Sequence, residues 1–296
     1  MLFVAKIYLD AGHGGKDSGA VGNGYRECDI TLETTLEVQK RLKAHGFEVI
    51  VSRTKDEYVG DAGERGAKMG TSKADYGLSI HCNAGGGTGA ELIMPCRETY
   101  GKIEYHMAQE FSKLGKWRKI FSKDYSSGKN YTRNIDSKTF KVSAINSTDY
   151  YGIPREAWKK GVSADIIELF FIDTKADVDN YLKQKESYVE AIVKSICLGF
   201  DVVYKAPVVK TTSSSTVKTM YRVICGSYSN KDNASRILKQ LEALGYKGVF
   251  LHATKKDGKT FYQVICGSYE NRNTADSLRS KLISQGYSSA FLQAVK

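Results

Sequence analysis

No apolar run in this chain of 296 residues approaches the roughly 18 that a membrane helix requires, so membrane insertion is not expected. No C-x-x-C pair occurs among the six cysteines, Cys28, Cys82, Cys96, Cys197, Cys225 and Cys266. Thiols scattered in this way suit a buried, reduced state and a reducing compartment. The opening stretch Met1–Asp10 has neither a basic n-region nor a small-residue cleavage site and ends on an acid. It reads as a first strand, so the expectation is synthesis in the cytoplasm without an export signal of its own. A phosphate-binding loop is excluded as well: Gly15-Lys16 is followed by Asp17 where Ser or Thr is needed, and the spacing to an earlier glycine is wrong.

Apolar residues make up 41% and charged residues 26%, the composition of a globular chain long enough for two domains. The net charge of +11 is unevenly placed. Residues 1–200 hold 29 basic and 27 acidic side chains, whereas residues 219–296 hold 12 and 5. The C-terminal part therefore favours a polyanionic partner, nucleic acid or a bacterial wall, and charge alone does not choose between them.

Between Lys205 and Lys218 the chain turns to Pro207 and a run of Thr and Ser with no period, the signature of a flexible linker. The expected division is a first domain over 1–202, a linker over 203–218 and a second domain over 219–296. The second domain is a tandem repeat: Tyr221-Arg222-Val223-Ile224-Cys225-Gly226-Ser227-Tyr228 returns 41 residues later as Tyr262-Gln263-Val264-Ile265-Cys266-Gly267-Ser268-Tyr269. Each unit reads strand, amphipathic helix, strand. One such unit cannot bury both its helix and its sheet, whereas two give a β-α-β-β-α-β module of four strands and two helices. The first domain alternates strand and helix patterns, the mark of an α/β fold. Strands fit Ala5–Asp10, Phe47–Ser52, Tyr76–His81, Ala90–Pro95 and Asp165–Phe171; helices fit about Asp29–His45 and Asp177–Leu198. The aromatic and basic stretch 117–160 shows no usable period.

Two of the five histidines share one kind of address. His13, in Asp10-Ala11-Gly12-His13-Gly14-Gly15, and His81, in Ser79-Ile80-His81-Cys82-Asn83-Ala84, both end a strand and enter a glycine-rich turn. Strand ends are where open α/β sheets place their sites, so a shared metal is the favoured reading. Glu27 is a third candidate ligand, although an acid ahead of a helix also has a dipole reason to be there. Two imidazoles, a carboxylate and a water in the fourth position form a catalytic zinc site. Glu168 is a lone charge in the apolar run Asp165–Phe171. Burying it is costly unless it is paired or neutralised, and a place beside an activated water gives it the work of a proton shuttle. The alternative is an edge strand with Glu168 facing solvent. A thiolate reading using Cys82 is disfavoured because neighbours in a regular strand face opposite ways.

These residues, collinear over about Lys6 to Phe200, resemble the zinc-dependent N-acetylmuramoyl-L-alanine amidases of the amidase-3 type. The resemblance implies a twisted mixed sheet flanked by helices, one Zn2+ held by His13, Glu27 and His81, and Glu168 as the catalytic glutamate. Asn83 and Glu91 are candidates for shaping the site or touching substrate. The bond implied is the amide between N-acetylmuramic acid and L-alanine of the stem peptide. This chain departs from the family where Glu168-Leu169-Phe170-Phe171 replaces Glu-x-Gly-Phe, and where Ser137–Val162 is longer than its counterpart. The repeats resemble a SPOR domain, a small α+β module that binds glycan strands, with Ile224 and Ile265 where a glutamine is usual. Arg222, Ser227, Tyr228, Gln263, Ser268 and Tyr269 are the glycan-binding candidates. RNA-binding domains share this topology, but the Lys/Arg-Gly-aromatic pattern of their central strand is missing, so nucleic acid is not expected as a partner.

The expectation is therefore a peptidoglycan hydrolase for cell lysis, a phage endolysin or a mother-cell autolysin, that reaches the wall once the membrane is permeabilised. The rivals are a wall-binding protein with a degenerate amidase fold and a glycosidase working through paired carboxylates.

Overall fold

The computed structural model describes residues 4–206, 220–246, 248–256, 258–270 and 272–295. The chain divides into two compact units, residues 1–208 and 209–296. The first contains β1 (Lys6–Ala11), β2 (Val21–Gly22), β3 (Tyr25–Arg26), α1 (Glu27–Ala44), β4 (Glu48–Val51), α2 (Ala62–Thr71) and β5 (Tyr76–Asn83). It continues through β6 (Ala90–Ile93), α3 (Lys102–Phe111), β7 (Trp117–Lys123), β8 (Asn130–Thr132), α4 (Gly152–Trp158), β9 (Ala164–Phe171) and α5 (Lys175–Gly199).

Seven strands form one mixed sheet in the order β4-β1-β5-β9-β6-β7-β8. Strands β4, β1, β5 and β9 run parallel, whereas β6 is antiparallel to β9 and parallel to β7. The ends of β1, β5 and β9 thus meet the beginnings of β6 and β7 at one pole of the sheet. Alternation sorts the side chains onto two faces. Ile7, Leu9, Leu78, Ile80, Leu92, Ile167 and Leu169 pack with Val38 and Leu42 of α1, Met107 of α3 and Ile192 and Ile196 of α5. On the other face Tyr8, Ile93 and Ile166 pack with Met69 of α2 and Ile153 and Ala157 of α4.

The helices without an apolar period in the sequence have a physical reason for it. A capping box between Asp61 and Glu64 starts α2, but α2 meets α4 through glycine: a Cβ on Gly66 would stand 2.7 Å from the Ile153 carbonyl oxygen. Close helix approach replaces the hydrophobic stripe. The unassigned stretch 117–160 supplies β7, β8 and α4. All six cysteines are buried free thiols.

The second unit contains β10 (Met220–Tyr228), α6 (Lys231–Ala243), β11 (Phe250–Lys256), β12 (Lys259–Tyr269), α7 (Arg272–Ser284) and β13 (Phe291–Val295). The sheet order is β11-β12-β10-β13, antiparallel throughout. Val223, Cys225, Val264 and Cys266 pack under Ala234, Ile237 and Leu241 of α6 and Ala275 and Leu282 of α7. Of the stretch 203–218, residues 207–218 lie outside the described residues. Tyr204 stacks on His45 at a centroid distance of 5.6 Å and packs on the core of the first unit. No helix among the described residues is long and apolar enough to cross a membrane.

Candidate active site

The pole where the strand ends meet carries the histidines. His13 follows β1 with a left-handed backbone, φ 62°. Gly12 allows the β1 loop to press against β5, because a Cβ there would stand 2.6 Å from the His81 ring. The two imidazoles come to a centroid separation of 4.9 Å, nearly perpendicular. Glu27 opens α1 and reaches both: its Oε1 lies 3.2 Å from His13 Nε2 and 2.9 Å from His81 Nδ1. The amides of Cys82 and Ala20, each at 2.9 Å, fix that carboxylate by donating to its two oxygens. Asp17 Oδ2 stands 2.9 Å from His13 Nδ1, which leaves Nε2 for the centre.

Three ligand atoms, from His13, Glu27 and His81, thus lie within 4.8 Å of one another. Burial alone would raise the Glu27 carboxyl, but the hydrogen bonds and charges of the two histidines outweigh it and hold its pKa well below the usual range. Burial likewise opposes the charged form of His13, and Glu27 and Asp17 outweigh it, raising its pKa. So much electrostatic demand on a few donor atoms suits a cation at the centre, and the donor set fits zinc. Cys82 faces the opposite side of β5, inside the first core, and burial pushes its thiol far up. A second grouping, Cys28 with Asp29 and Asp56, has its carboxylates taken by Arg26, at 2.6 and 3.1 Å.

Glu168 sits on β9, fourth of the seven strands, so the edge-strand alternative does not hold. It is paired in register with His81 on one side and with Glu91 on the other. Its Oε2 is out of solvent and has no hydrogen-bond partner among the described residues. Burial, then the charges of Glu27 and Glu91, push this carboxyl up to about 8, against a smaller opposing pull from His13. Asn83 Nδ2 donates to Glu91 Oε1 at 2.9 Å, and Arg118 Nε donates to Glu91 Oε2 at 2.8 Å. The Arg118 guanidinium lies over the Phe171 ring, 5.0 Å from its centroid. The bulky residues after Glu168 find room without disturbing it: Leu169 and Phe170 are in the first core.

Two side chains at this pole were not legible in the sequence. Arg118 is the second residue of β7, and Tyr151 precedes α4; both lie in the stretch that lacked a period. The Tyr151 phenol is pushed up to about 12 by burial, then by the charges of Glu168 and Glu91. Chemistry-bearing types in an irregular segment give no signal until a sheet brings them together.

Residues 7–201 match the family model described as N-acetylmuramoyl-L-alanine amidase, and residues 217–293 match the SPOR domain. The chain belongs to the amidase-3 family of N-acetylmuramoyl-L-alanine amidases. It is 29% identical over 250 residues to the sporulation-specific N-acetylmuramoyl-L-alanine amidase of Bacillus subtilis strain 168, covering 84% of this chain and 85% of that protein. It is 31% identical over 197 residues to the endolysin of Bacillus phage SPP1, covering 65% and 64%. Among solved structures, the catalytic domain of CwlV from Bacillus (Paenibacillus) polymyxa superposes with a TM-score of 0.52 at 22% identity, covering 68% of this chain and all of that one, a likeness of fold.

In the amidase's SPOR unit the repeat builds a two-fold patterned surface on the sheet face that α6 and α7 leave free. Ile224 pairs with Ile265 and with Phe291, and Ile265 pairs with Phe250, so one apolar row crosses all four strands. The isoleucines are shielded, whereas Phe250 and Phe291 are 46% and 38% exposed. Arg222 pairs with Ser268 and Gln293 on one flank of that row, and Gln263 pairs with Ser227 and His252 on the other. The Oε1 atoms of Gln263 and Gln293 are buried without hydrogen-bond partners among the described residues. Tyr228 packs on the helix-side core with its ring over Gly226, and Tyr269 packs likewise over Gly267. Of the six candidates, Arg222, Ser227, Gln263 and Ser268 share the free face, and the two tyrosines lie toward the helices.

Proposed function

We propose that this amidase hydrolyses the bond between the lactyl group of N-acetylmuramic acid and L-alanine of the stem peptide, with His13, Glu27 and His81 holding zinc and Glu168 moving the proton. The observation that carries the reading is the buried, unpartnered Oε2 of Glu168, one strand from His81 in register. When bound in that triad, zinc would supply Lewis acidity, to polarise a carbonyl and to make water acidic enough to attack near neutral pH. Glu168 takes the proton of the attacking water and delivers it to the leaving nitrogen of L-alanine as the carbon–nitrogen bond breaks. Glu91 favours the protonated form of Glu168 through its charge, and Asp17 keeps the His13 ring turned toward the centre. Oε2 itself lies out of solvent, which limits competition from bulk water for that proton.

The free face of the SPOR unit would hold the glycan strand and raise the local concentration of the catalytic unit on the wall. The family, shared with a sporulation amidase and a phage endolysin, supports a lytic role at the cell wall. Purified walls digested by wild type, Glu168→Ala and chelator-treated protein test the reading. New L-alanine amino termini, and no new reducing sugar ends, are expected from zinc-loaded wild type alone. Reducing ends would point to a glycosidase. Binding without release of either would leave a wall-binding protein.

A further inference from the structure

Four side chains from four adjacent strands stand in one row at the active pole: His81 on β5, Glu168 on β9, Glu91 on β6 and Arg118 at the start of β7. The first three have work in the amidase reading. Arg118 does not, yet it is held with care. Its Nε is committed to Glu91, which Asn83 pins from the other oxygen, and its guanidinium plane rests on Phe171. Its two terminal nitrogens have no acceptor among the described residues, and the side chain is 33% exposed. A guanidinium whose Nε is tied back presents its Nη1–Nη2 edge as a fork that matches a carboxylate with two parallel hydrogen bonds.

Strand spacing sets the reach. Two steps of about 4.8 Å separate the backbone of Arg118 from that of Glu168 by about 10 Å, and the bond to Glu91 shows that the side chain leans back toward the reacting centre. A substrate chain advances about 3.5 Å per extended residue. A carboxylate on the residue after L-alanine therefore lies roughly 7 Å from the scissile carbon, within the span the guanidinium covers. We infer that Arg118 is a specificity-determining residue, binding a free carboxylate on the second residue of the stem peptide and thereby selecting it over the carboxamide. This rests on the amidase reading above. Charge supports it: the carboxylates of Glu27 and Glu91 stand at this pole, and an anionic substrate group entering beside them needs a cation of its own.

Two soluble muramyl peptides that differ only in a free carboxylate or a carboxamide at the second residue test it, with kcat/KM read from release of the L-alanine amine. Zinc-loaded wild type is expected to prefer the carboxylate by about tenfold or more, the scale of a charge-assisted pair. In Arg118→Met the ratio of the two kcat/KM values falls to near one. In Arg118→Lys, which keeps a positive charge beside Glu91 but loses the fork, the ratio is intermediate, and this variant serves if the methionine variant does not fold. A wild-type ratio near one, or a ratio unchanged in either variant, overturns the inference and leaves the amidase reading standing. Cleavage of neither peptide by zinc-loaded wild type counts against the amidase reading and removes this inference with it.

Discussion

The two units of this amidase concentrate function in opposite ways. In the catalytic unit, the proposed chemistry sits in a few atoms taken out of solvent: one carboxylate shared by two imidazoles, and a second with an oxygen that has no hydrogen-bond partner among the described residues. In the SPOR unit, the proposed glycan-binding surface is spread over a face of four strands, with an apolar row flanked by polar side chains and two half-exposed phenylalanines. A concentrated site fails when one group is removed; a distributed one weakens by degrees. The comparison therefore predicts sizes of effect as well as directions.

The largest effect belongs to Glu168. Glu168→Gln is expected to lower kcat by roughly 10²–10⁴-fold, the range for losing a positioned proton shuttle, with wall binding retained. Co-sedimentation with walls alongside the release assay checks both halves; a variant keeping more than a tenth of wild-type turnover breaks the contrast. Deleting residues 220–295 comes next. Apparent affinity for intact walls should fall about 10²-fold, as when a tethered second module is lost, while turnover of a small soluble muramyl peptide is kept. If turnover of the small peptide falls in step, the units do not divide the labour as described.

A pH measurement sharpens the catalytic side. Burial, then the charges of Glu27 and Glu91, push the Glu168 carboxyl up to about 8 in the folded protein, from an ordinary value of 4.5. Below 4.5 both states carry the proton and the group costs nothing. As pH rises from about 4.5 through 8 the unfolded state releases its proton first, so stability is lost across that window. Metal-free Glu168→Gln should therefore gain on metal-free wild type by at least ~2 °C in Tm between pH 5 and pH 8.5. A constant gap between the two across that range would show that the carboxyl is not held protonated. The smallest effects belong to the distributed face. Phe250→Ala and Phe291→Ala should each weaken wall binding a few-fold, with the double variant near their product because the sites are separate. Tyr228→Ala should act on stability more than on affinity, since its ring lies on the helix side.

How much could be seen in the sequence follows the same division. His13, Glu27, His81 and Glu168 stood out because each breaks a local pattern: a histidine where a strand ends in glycines, a charge inside an apolar strand. The repeat was legible because an offset of 41 holds over both halves, and it brought the β-α-β-β-α-β topology with it. Helix α2 was hidden because glycine contact with α4 replaced an apolar stripe. Arg118 and Tyr151 were hidden because their value is purely spatial. Nothing near Arg118 in the chain marks it; Glu91 and Phe171 reach it from two other segments, and Asn83 holds Glu91 from a third. The face of the SPOR sheet was half legible: alternation could place Arg222 and Gln263 together, but a bulge after Ile224 alters the phase that a regular strand would give Tyr228.

The near-equality of the two repeats has a consequence for orientation. A glycan strand has a reducing and a non-reducing end, and a surface with two-fold symmetry would accept it either way round. On that face the repeats disagree at Met220 against Phe261, Arg222 against Gln263, His252 against Gln293 and Thr254 against Val295, and only such differences can tell one heading from the other. If those differences are weak, the tether delivers the catalytic unit to stem peptides on both sides of wherever it lands. The enzyme would then graze outward from a point rather than travel along the polymer in one sense.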